Sequence, residues 1–337
     1  MKPNRKPPTM ADIARITGVS PMTVSRAFKG DSLIRRETRE AILKTAEDMG
    51  YVFDSTASNL RSQRTGFVAV TIPSINNANF ADTVAGLSEV LAGAGMQILL
   101  GYTNYDVENE ERLIEQLLRR KPQAIVVTGG KHTPRARRLL ENAQIPVIET
   151  WDVPADPIGH YVGFSNADAV RGMVDHFVRI GYQRIAFLGG DTSRDTRGSD
   201  RRRGFISAMK KHGLDPTRLI AAGTPPISMR EGAIAMARLL SDFPDTEAVI
   251  CVSDLSAFGA LTECQRQGFS VPGRIAVGGF GNYEIADICV PTLTTIDARA
   301  REIGSRAGSL ILGILDGGAQ LDHVLIGPEL ILRQSSG

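Results

Sequence analysis

The side chains best suited to chemistry in this 337-residue chain gather where strand-like runs end. After Phe67–Pro73 comes Ser74-Ile75-Asn76-Asn77-Ala78-Asn79-Phe80, whose amides offer donors and acceptors to hydroxyl groups and whose phenyl ring offers an apolar face. The same asparagines would serve equally to cap a following helix. Lys131 and His132 follow the run Ala124–Thr128, and Arg194 follows Arg184–Gly189, with Arg201 at the start of the next helical stretch. Asp254 follows Ala248–Val252, and Gly281-Asn282 follows Ile275–Phe280. Such a mixture suits the binding of a small polar molecule. It does not suit catalysis. His132, His160, His176, His212 and His323 never fall at zinc-ligand spacing. The Gly189-Gly190 and Gly278-Gly279 pairs form neither a G-x-G-x-x-G nor a Walker sequence, and no G-x-S-x-G elbow occurs. No cofactor and no metal is expected. Cys251, Cys264 and Cys289 read as buried, reduced thiols of a cytoplasmic protein.

These groups need elements to hold them. With 42% hydrophobic and 23% charged residues the chain has ample core material, which excludes a disordered, fibrous or disulfide-stapled protein. From Phe67 onward strand-like runs alternate with helical ones: Ala81–Ala94, Glu108–Arg119, Pro134–Ala143, Ala167–Ile180, Arg201–His212, Met229–Leu240 and Leu255–Gln267. Alternation of this kind predicts parallel sheets with right-handed crossovers. About eight such strands, with a change of rhythm near 155–163, predict two doubly wound lobes with a cleft between them. Ligands of such folds sit where loops leave the carboxyl ends of the strands, which is where the polar clusters lie. A short extended piece at Thr292–Ile296 and a long helix at Ala298–Leu315 complete the body.

The first 65 residues have a different texture. They carry 12 Lys and Arg against 7 Asp and Glu, leaving the remaining residues with 27 against 30, so a basic head precedes a mildly acidic body. Basic charge on a small module suits a polyanionic partner. Met10–Ile16 has helical apolar spacing and stops at Thr17-Gly18. Ser20-Pro21 is a helix start, since serine caps free N–H groups and proline lacks one; the helix reaches about Phe28. A third helix is expected from Thr38 to Met49, and residues 51–65 read as a polar linker. The spacing of Ala14, Gly18 and Val24 fits a helix-turn-helix: a small residue at the contact, glycine in the turn and a β-branched residue packing the second helix on the first. The N-terminus has no apolar stretch that would make it a secretory signal, and no apolar run approaches membrane length.

The string Thr9–Gly30, with Thr38-Arg39-Glu40 and Gly50-Tyr51, resembles the DNA-binding head of the LacI/GalR family of bacterial repressors. The body is similar too, at Arg201–Phe205, Ser253-Asp254 and Pro291–Ile296. The resemblance implies an α/β architecture: an N-terminal helix-turn-helix head at 1–50, a hinge linker at 51–65, and a periplasmic-binding-protein-like core at 66–337 that binds effector and dimerises. The core's first lobe is expected at about 66–162 and 293–323, and its second at about 163–292 and 324–337. The resemblance also implies that Pro21, Met22 and Arg26 face base edges of double-stranded operator DNA, while Thr9, Ser20, Thr23 and Ser25 hold phosphates. Arg26 can donate two hydrogen bonds to guanine O6 and N7. Leu60, with Ala57 one turn earlier, stands where the family wedges a hinge helix into the minor groove, although Phe53 and Asp54 replace its usual proline and asparagine.

In the body, the resemblance implies that Arg201 grips a small-molecule effector, with Ser74, Asn79, Phe80, Lys131, His132, Ser165, Arg194, Asp254 and Asn282 around it. Ser165 and Gly281 stand where relatives carry aspartate. Fewer carboxylates among these cations favour an anionic effector. The motifs PMTVSR, PSINNANFAD, KHTPR and ECQRQGFSVP resemble the gluconate-operon repressor branch, which implies a sugar acid such as gluconate as effector of a homodimeric cytoplasmic repressor. Alternatives are a neutral-sugar or purine-type corepressor in the same family, a secreted sugar-binding protein, or a sugar-acid enzyme. The head argues against the secreted protein, and the missing phosphate-cradling motif against the enzyme.

Overall fold

The computed structural model describes residues 7–29, 33–53, 65–190, 194–318 and 323–337. The chain divides into two compact units, Met1–Thr65 and Gly66–Gly337. In the smaller unit Thr9 and Asp12 form a capping box that starts α1 (Met10–Thr17). The helix ends at Gly18, whose φ of 69° is a left-handed conformation that glycine adopts without strain. Ser20 then caps α2 (Pro21–Phe28), accepting a bond from the Thr23 N–H. The third helix, α3 (Arg36–Met49), starts two residues before the expected Thr38; an Arg36–Glu40 pair at 2.8 Å, one turn apart, supports the extra residues. Ile13, Ala14, Val24, Ala27, Ile42 and Ala46 are buried together, so each helix contributes two residues to one small core. Arg39 Nε donates to the Ala27 carbonyl at 3.1 Å, tying α3 to the end of α2. Phe53 stacks on Phe28 with ring centres 4.8 Å apart. Ala57 and Leu60 lie outside the described residues.

The larger unit holds two six-stranded sheets. In chain order its elements are β1 (Phe67–Ile72), α4 (Ala78–Gly93), β2 (Gln97–Tyr102), α5 (Val107–Leu118), β3 (Ala124–Thr128), α6 (Pro134–Glu141), β4 (Val147–Thr150), β5 (His160–Gly163) and α7 (Asn166–Arg179). Then follow β6 (Ile185–Leu188), α8 (Thr196–Lys211), β7 (Leu219–Ile220), α9 (Met229–Asp242), β8 (Ala248–Cys251), α10 (Asp254–Arg266), β9 (Ala276–Phe280) and α11 (Glu284–Ile288). The chain closes with β10 (Thr294–Asp297), α12 (Ala300–Leu315), β11 (Val324–Leu325) and β12 (Glu329–Ile331). The first sheet has the order β11-β5-β4-β3-β1-β2 and the second β12-β10-β9-β8-β6-β7. All pairings are parallel except β10 with β12. Strands such as Ala248–Cys251 and Ile185–Leu188 are buried along their whole length, as helices on both faces of a parallel sheet require. Helices pack so closely that a β-carbon on Gly304 of α12 would lie 1.9 Å from the Thr83 carbonyl oxygen of α4.

The lobe boundaries differ from the expected ones at the C-terminal end. β10, expected in the first lobe, pairs with β9 of the second sheet, and β11, expected in the second, pairs with β5 of the first through Val324↔Val162. The chain therefore crosses between lobes three times: after β5, after β10 and after β11. Buried hydroxyls account for the placement of β10: Thr295 Oγ1 donates to Asp254 at 2.6 Å, and Thr294 bonds Ser335 and Arg333. The helix expected from Arg201 starts at Thr196, where Asp195 accepts a bond from the Gly198 N–H and caps it. β7 and α11 were not expected; two and five residues are too short for a periodic signal. No helix among the described residues is long and apolar enough to cross a membrane.

Candidate functional site

The head exposes one face of α2. Pro21 and Met22 are exposed, and 64% of the Met22 surface is accessible, so this methionine is available to a partner and is not part of the head core. Arg26, one turn further along, is exposed on the same side. Thr9 and Ser20 cap α1 and α2, their side-chain oxygens accepting from the N–H groups of Asp12 and Thr23. Thr23 and Ser25 are half-buried. Pro21, Met22 and Arg26 thus form a short ridge of two apolar groups and one cation.

The larger unit has a cleft of about 620 Å³, including its open mouth, at the carboxyl ends of both sheets. Two arginines dominate it. Arg201 Nε donates to Asn166 Oδ1 at 2.9 Å, Nη1 donates to the Val252 carbonyl at 2.9 Å, and the guanidinium lies 3.5 Å from the centre of the Phe280 ring. One face opens to the cavity, yet burial pushes its pKa down to about 10, partly opposed by the charge of Asp195, so it stays cationic at neutral pH. Arg197, one turn earlier on α8, is 6% exposed. Its guanidinium lies 5.6 Å from the Phe80 ring centre and 6.0 Å from that of Tyr105, and Nη1 reaches the Thr128 carbonyl at 3.4 Å. Among the described residues neither arginine forms an ion pair with a carboxylate, and between them they donate three hydrogen bonds. Most of their N–H groups are left for an acceptor inside the cavity.

The rest of the wall is aromatic and amide. Phe80 packs edge-on against Trp151 and Tyr105, at 5.4 and 6.4 Å between centres. Tyr105 and Trp151 both have left-handed backbones, with φ of 56° and 70°, and Trp151 Nε1 donates to Thr83 at 3.0 Å. Strained aromatic residues at a cavity mark a seat whose shape the surrounding packing enforces. Tyr283 Oη donates to Asn77 Oδ1 at 2.7 Å across the cleft. Behind it the buried Asp254 accepts from the Tyr283 N–H at 2.8 Å; burial raises its pKa to about 6 against the opposing bonds from Thr295 and Tyr283.

Of the residues expected around an effector, Asn79, Phe80 and Arg201 line this cleft, and the others do not. Ser74 is buried and holds a turn by accepting from the Asn76 N–H, while Ser165 caps α7. Lys131 pairs with Asp200 at 3.4 Å and Arg194 with Asp106 at 3.0 Å, both as bridges between the lobes. Asp254 supports Tyr283 from behind the wall, and Asn282 bonds Asp297 and Arg333. His132 is consumed by a buried cluster: Nδ1 lies 2.8 Å from Glu110 and Nε2 forms a longer ion pair, 3.5 Å, with Glu149. Tyr105, Trp151, Arg197 and Tyr283 line the cleft without having been expected there. The i,i+4 spacing of Arg197 and Arg201 behind the capping pair Asp195-Thr196 was the available signal. Among the described residues, no group of three or more His, Cys, Asp or Glu converges on a metal position.

The His132 cluster makes stability depend on pH. Burial opposes the charged ring, but the hydrogen bond and charge of Glu110, with the charge of Glu149, raise its pKa from 6.5 to about 9. A raised folded-state pKa contributes stability that is complete below pH 6.5 and lost as pH rises through 9, here about 3 kcal/mol. Chemical denaturation at intervals from pH 6 to 10 should show wild-type stability falling toward that of His132→Gln. Parallel curves for the two proteins would refute this role.

A family model described as "Bacterial regulatory proteins, lacI family" matches residues 9–54, and one described as "Periplasmic binding protein-like domain" matches residues 174–336. The chain is 33% identical over 330 residues to the HTH-type transcriptional regulator GntR of Pseudomonas aeruginosa, covering 98% of this chain and 96% of that protein. It is 32% identical to the HTH-type transcriptional regulator IdnR of Escherichia coli K12, covering 90% and 91%. The crystal structure of a LacI family transcriptional regulator from Silicibacter pomeroyi superposes with a TM-score of 0.92 at 31% identity, over 98% of this chain and 99% of that one. The lac repressor dimer bound to operator and an anti-inducer shares the fold, with a TM-score of 0.85 at 23% identity, over 98% and 99%. A helix-turn-helix head, two parallel-sheet lobes and relatives matched over nearly their full length agree: the chain belongs to the LacI family, as a DNA-binding transcriptional repressor and not an enzyme.

Proposed function

We propose that this repressor answers to a hydroxylated carboxylic acid, gluconate or a close relative, bound in the cleft between its lobes. The observation that carries the proposal is the pair of arginines, Arg197 and Arg201, shielded from bulk solvent without a carboxylate partner among the described residues. A carboxylate accepts a bidentate pair from such a fork, and Asn77, Asn79 and Tyr283 supply partners for hydroxyls. The resemblance to the gluconate-operon branch supports the same ligand class. A neutral sugar would leave the guanidinium donors unmatched, which is costly in a partly desolvated site.

In this reading the protein acts in the cytoplasm as a homodimer on a roughly palindromic operator. Pro21, Met22 and Arg26 read bases in successive major grooves, and Thr9, Ser20, Thr23 and Ser25 hold phosphates. Ala57 and Leu60 of each hinge meet the minor groove. Effector binding changes the relative orientation of the lobes and so the population able to hold the operator, a coupling of about 1–3 kcal/mol; the sign taken from the resemblance is induction. Calorimetric titration with gluconate, other aldonates, glucose and a purine, paired with operator binding by fluorescence anisotropy, tests both halves. Saturable binding of an aldonate that weakens operator affinity is the expected result. Binding of only glucose or the purine, or tighter operator binding with aldonate, would overturn it.

A further inference from the structure

The two cleft arginines divide their contacts between the lobes differently. Arg201 bonds Asn166 of α7 and the Val252 carbonyl after β8, and it lies over Phe280 of β9, all within the second lobe. Its link to the first lobe is indirect, through Asn166 Nδ2, which donates to the Trp151 carbonyl at 2.9 Å. Arg197 belongs to the same helix, yet its recorded contacts reach the first lobe: the Thr128 carbonyl at the end of β3, Phe80 of α4 and Tyr105 after β2. The 3.4 Å bond is long and the two ring contacts lie near the outer limit for cation–π attraction, so this grip is displaceable. Its seat is stiff by contrast, since Phe80 is buried against Trp151 and Tyr105 holds a left-handed backbone.

We infer that Arg197 converts effector occupancy into a change in lobe closure, while Arg201 supplies the hold on the effector; the inference rests on the effector reading above. An anionic group seated on Arg201 lies one helical turn from Arg197, within reach of the same face of α8. A charge-assisted bond to that group outcompetes a long bond to a neutral carbonyl. Arg197 therefore has two alternative sets of partners, one belonging to the first lobe and one to the ligand, and occupancy chooses between them. Other links between the lobes lack this property. Arg194–Asp106 and Lys131–Asp200 are rim pairs with half-exposed cations, and Tyr283–Asn77 and Asn166–Trp151 are neutral bonds.

Linkage makes the inference measurable, because the ratio of gluconate Kd values for operator-bound and operator-free protein is the coupling itself. A wild-type ratio of about tenfold or more is expected, and in Arg197→Met it should fall to within about twofold of unity. In Arg201→Ala both Kd values should rise together. Arg197→Lys, which keeps the charge and loses the planar fork, should give an intermediate ratio and covers the case in which Arg197→Met folds poorly. A wild-type ratio in either variant would overturn the inference. Nitroxide labels at Asn142→Cys and Lys211→Cys, exposed sites on the first and second lobes, read closure without any ligand, and the three native cysteines are buried. Effector-free Arg197→Met should show longer or broader distances, and a distribution identical to wild type would also overturn the inference. Failure of the wild type to bind gluconate would instead sink the effector assignment and leave this distance measurement to judge Arg197.

Discussion

Arg201→Ala is expected to remove the response to effector while operator affinity without effector stays at the wild-type value. The substitution deletes the fork that would pair with a carboxylate, leaves Asn166 Oδ1 and the Val252 carbonyl without their donor, and uncovers the face of Phe280. Truncating one partner of a buried, hydrogen-bonded charge pair costs about 2–5 kcal/mol, roughly a thirtyfold to several-thousandfold rise in effector Kd. The pH dependence has a definite sign. Only the protonated guanidinium binds an anion well, and its pKa stands at about 10, so Arg201 gives no titration of affinity near neutrality and weakens binding only as pH approaches that value. Calorimetry on wild type and variant measures the loss, and anisotropy on a labelled operator checks that the head still binds. Wild-type responsiveness in Arg201→Ala would remove this residue from the effector site.

The second large effect concerns the head. Arg26→Ala should relax base preference at one position in each half-site without abolishing binding to DNA. Arg26 is exposed on the ridge that carries Met22, where a guanidinium can meet guanine O6 and N7 in a bidentate pair. Losing one such pair costs about 1–3 kcal/mol per head, and a dimer with two heads loses it twice. The phosphate contacts proposed for Thr9, Ser20, Thr23 and Ser25 would remain, so the salt dependence of binding should change little. Competition between the operator and single-base variants of it measures the effect. A variant that discriminates as sharply as wild type would show that the base reader lies elsewhere on α2.

Much of this architecture was legible before any coordinates. Ser20-Pro21 and Gly18 mark α2 and the preceding turn because capping and left-handed backbone are local properties of a few residues. Alternating strands and helices from Phe67 to Phe280 follow from periodicity, which depends only on which residues face a core. The cleft was less legible. Arg201 is recognisable by its motif, but Arg197 lies in a stretch that reads as loop until Asp195 is seen to cap α8. Lys131 and His132 follow a strand as a ligand-binding residue would, yet Asp200 and the Glu110–Glu149 pair claim them. Carboxylates 17 or more positions away in the chain leave no trace in the local pattern.

The amino-acid sequence by itself determined the helices of the head, the parallel strands of the body and the α/β class, because caps, turns and burial periodicity act over distances of a few residues. Tertiary structure alone decided which lobe receives β10 and β11, which cations remain unpaired and which aromatic rings form the cleft. The physical reason is the same in each case. An unpaired donor or an exchanged strand is defined by partners far away in sequence, and only packing brings those partners within hydrogen-bond range.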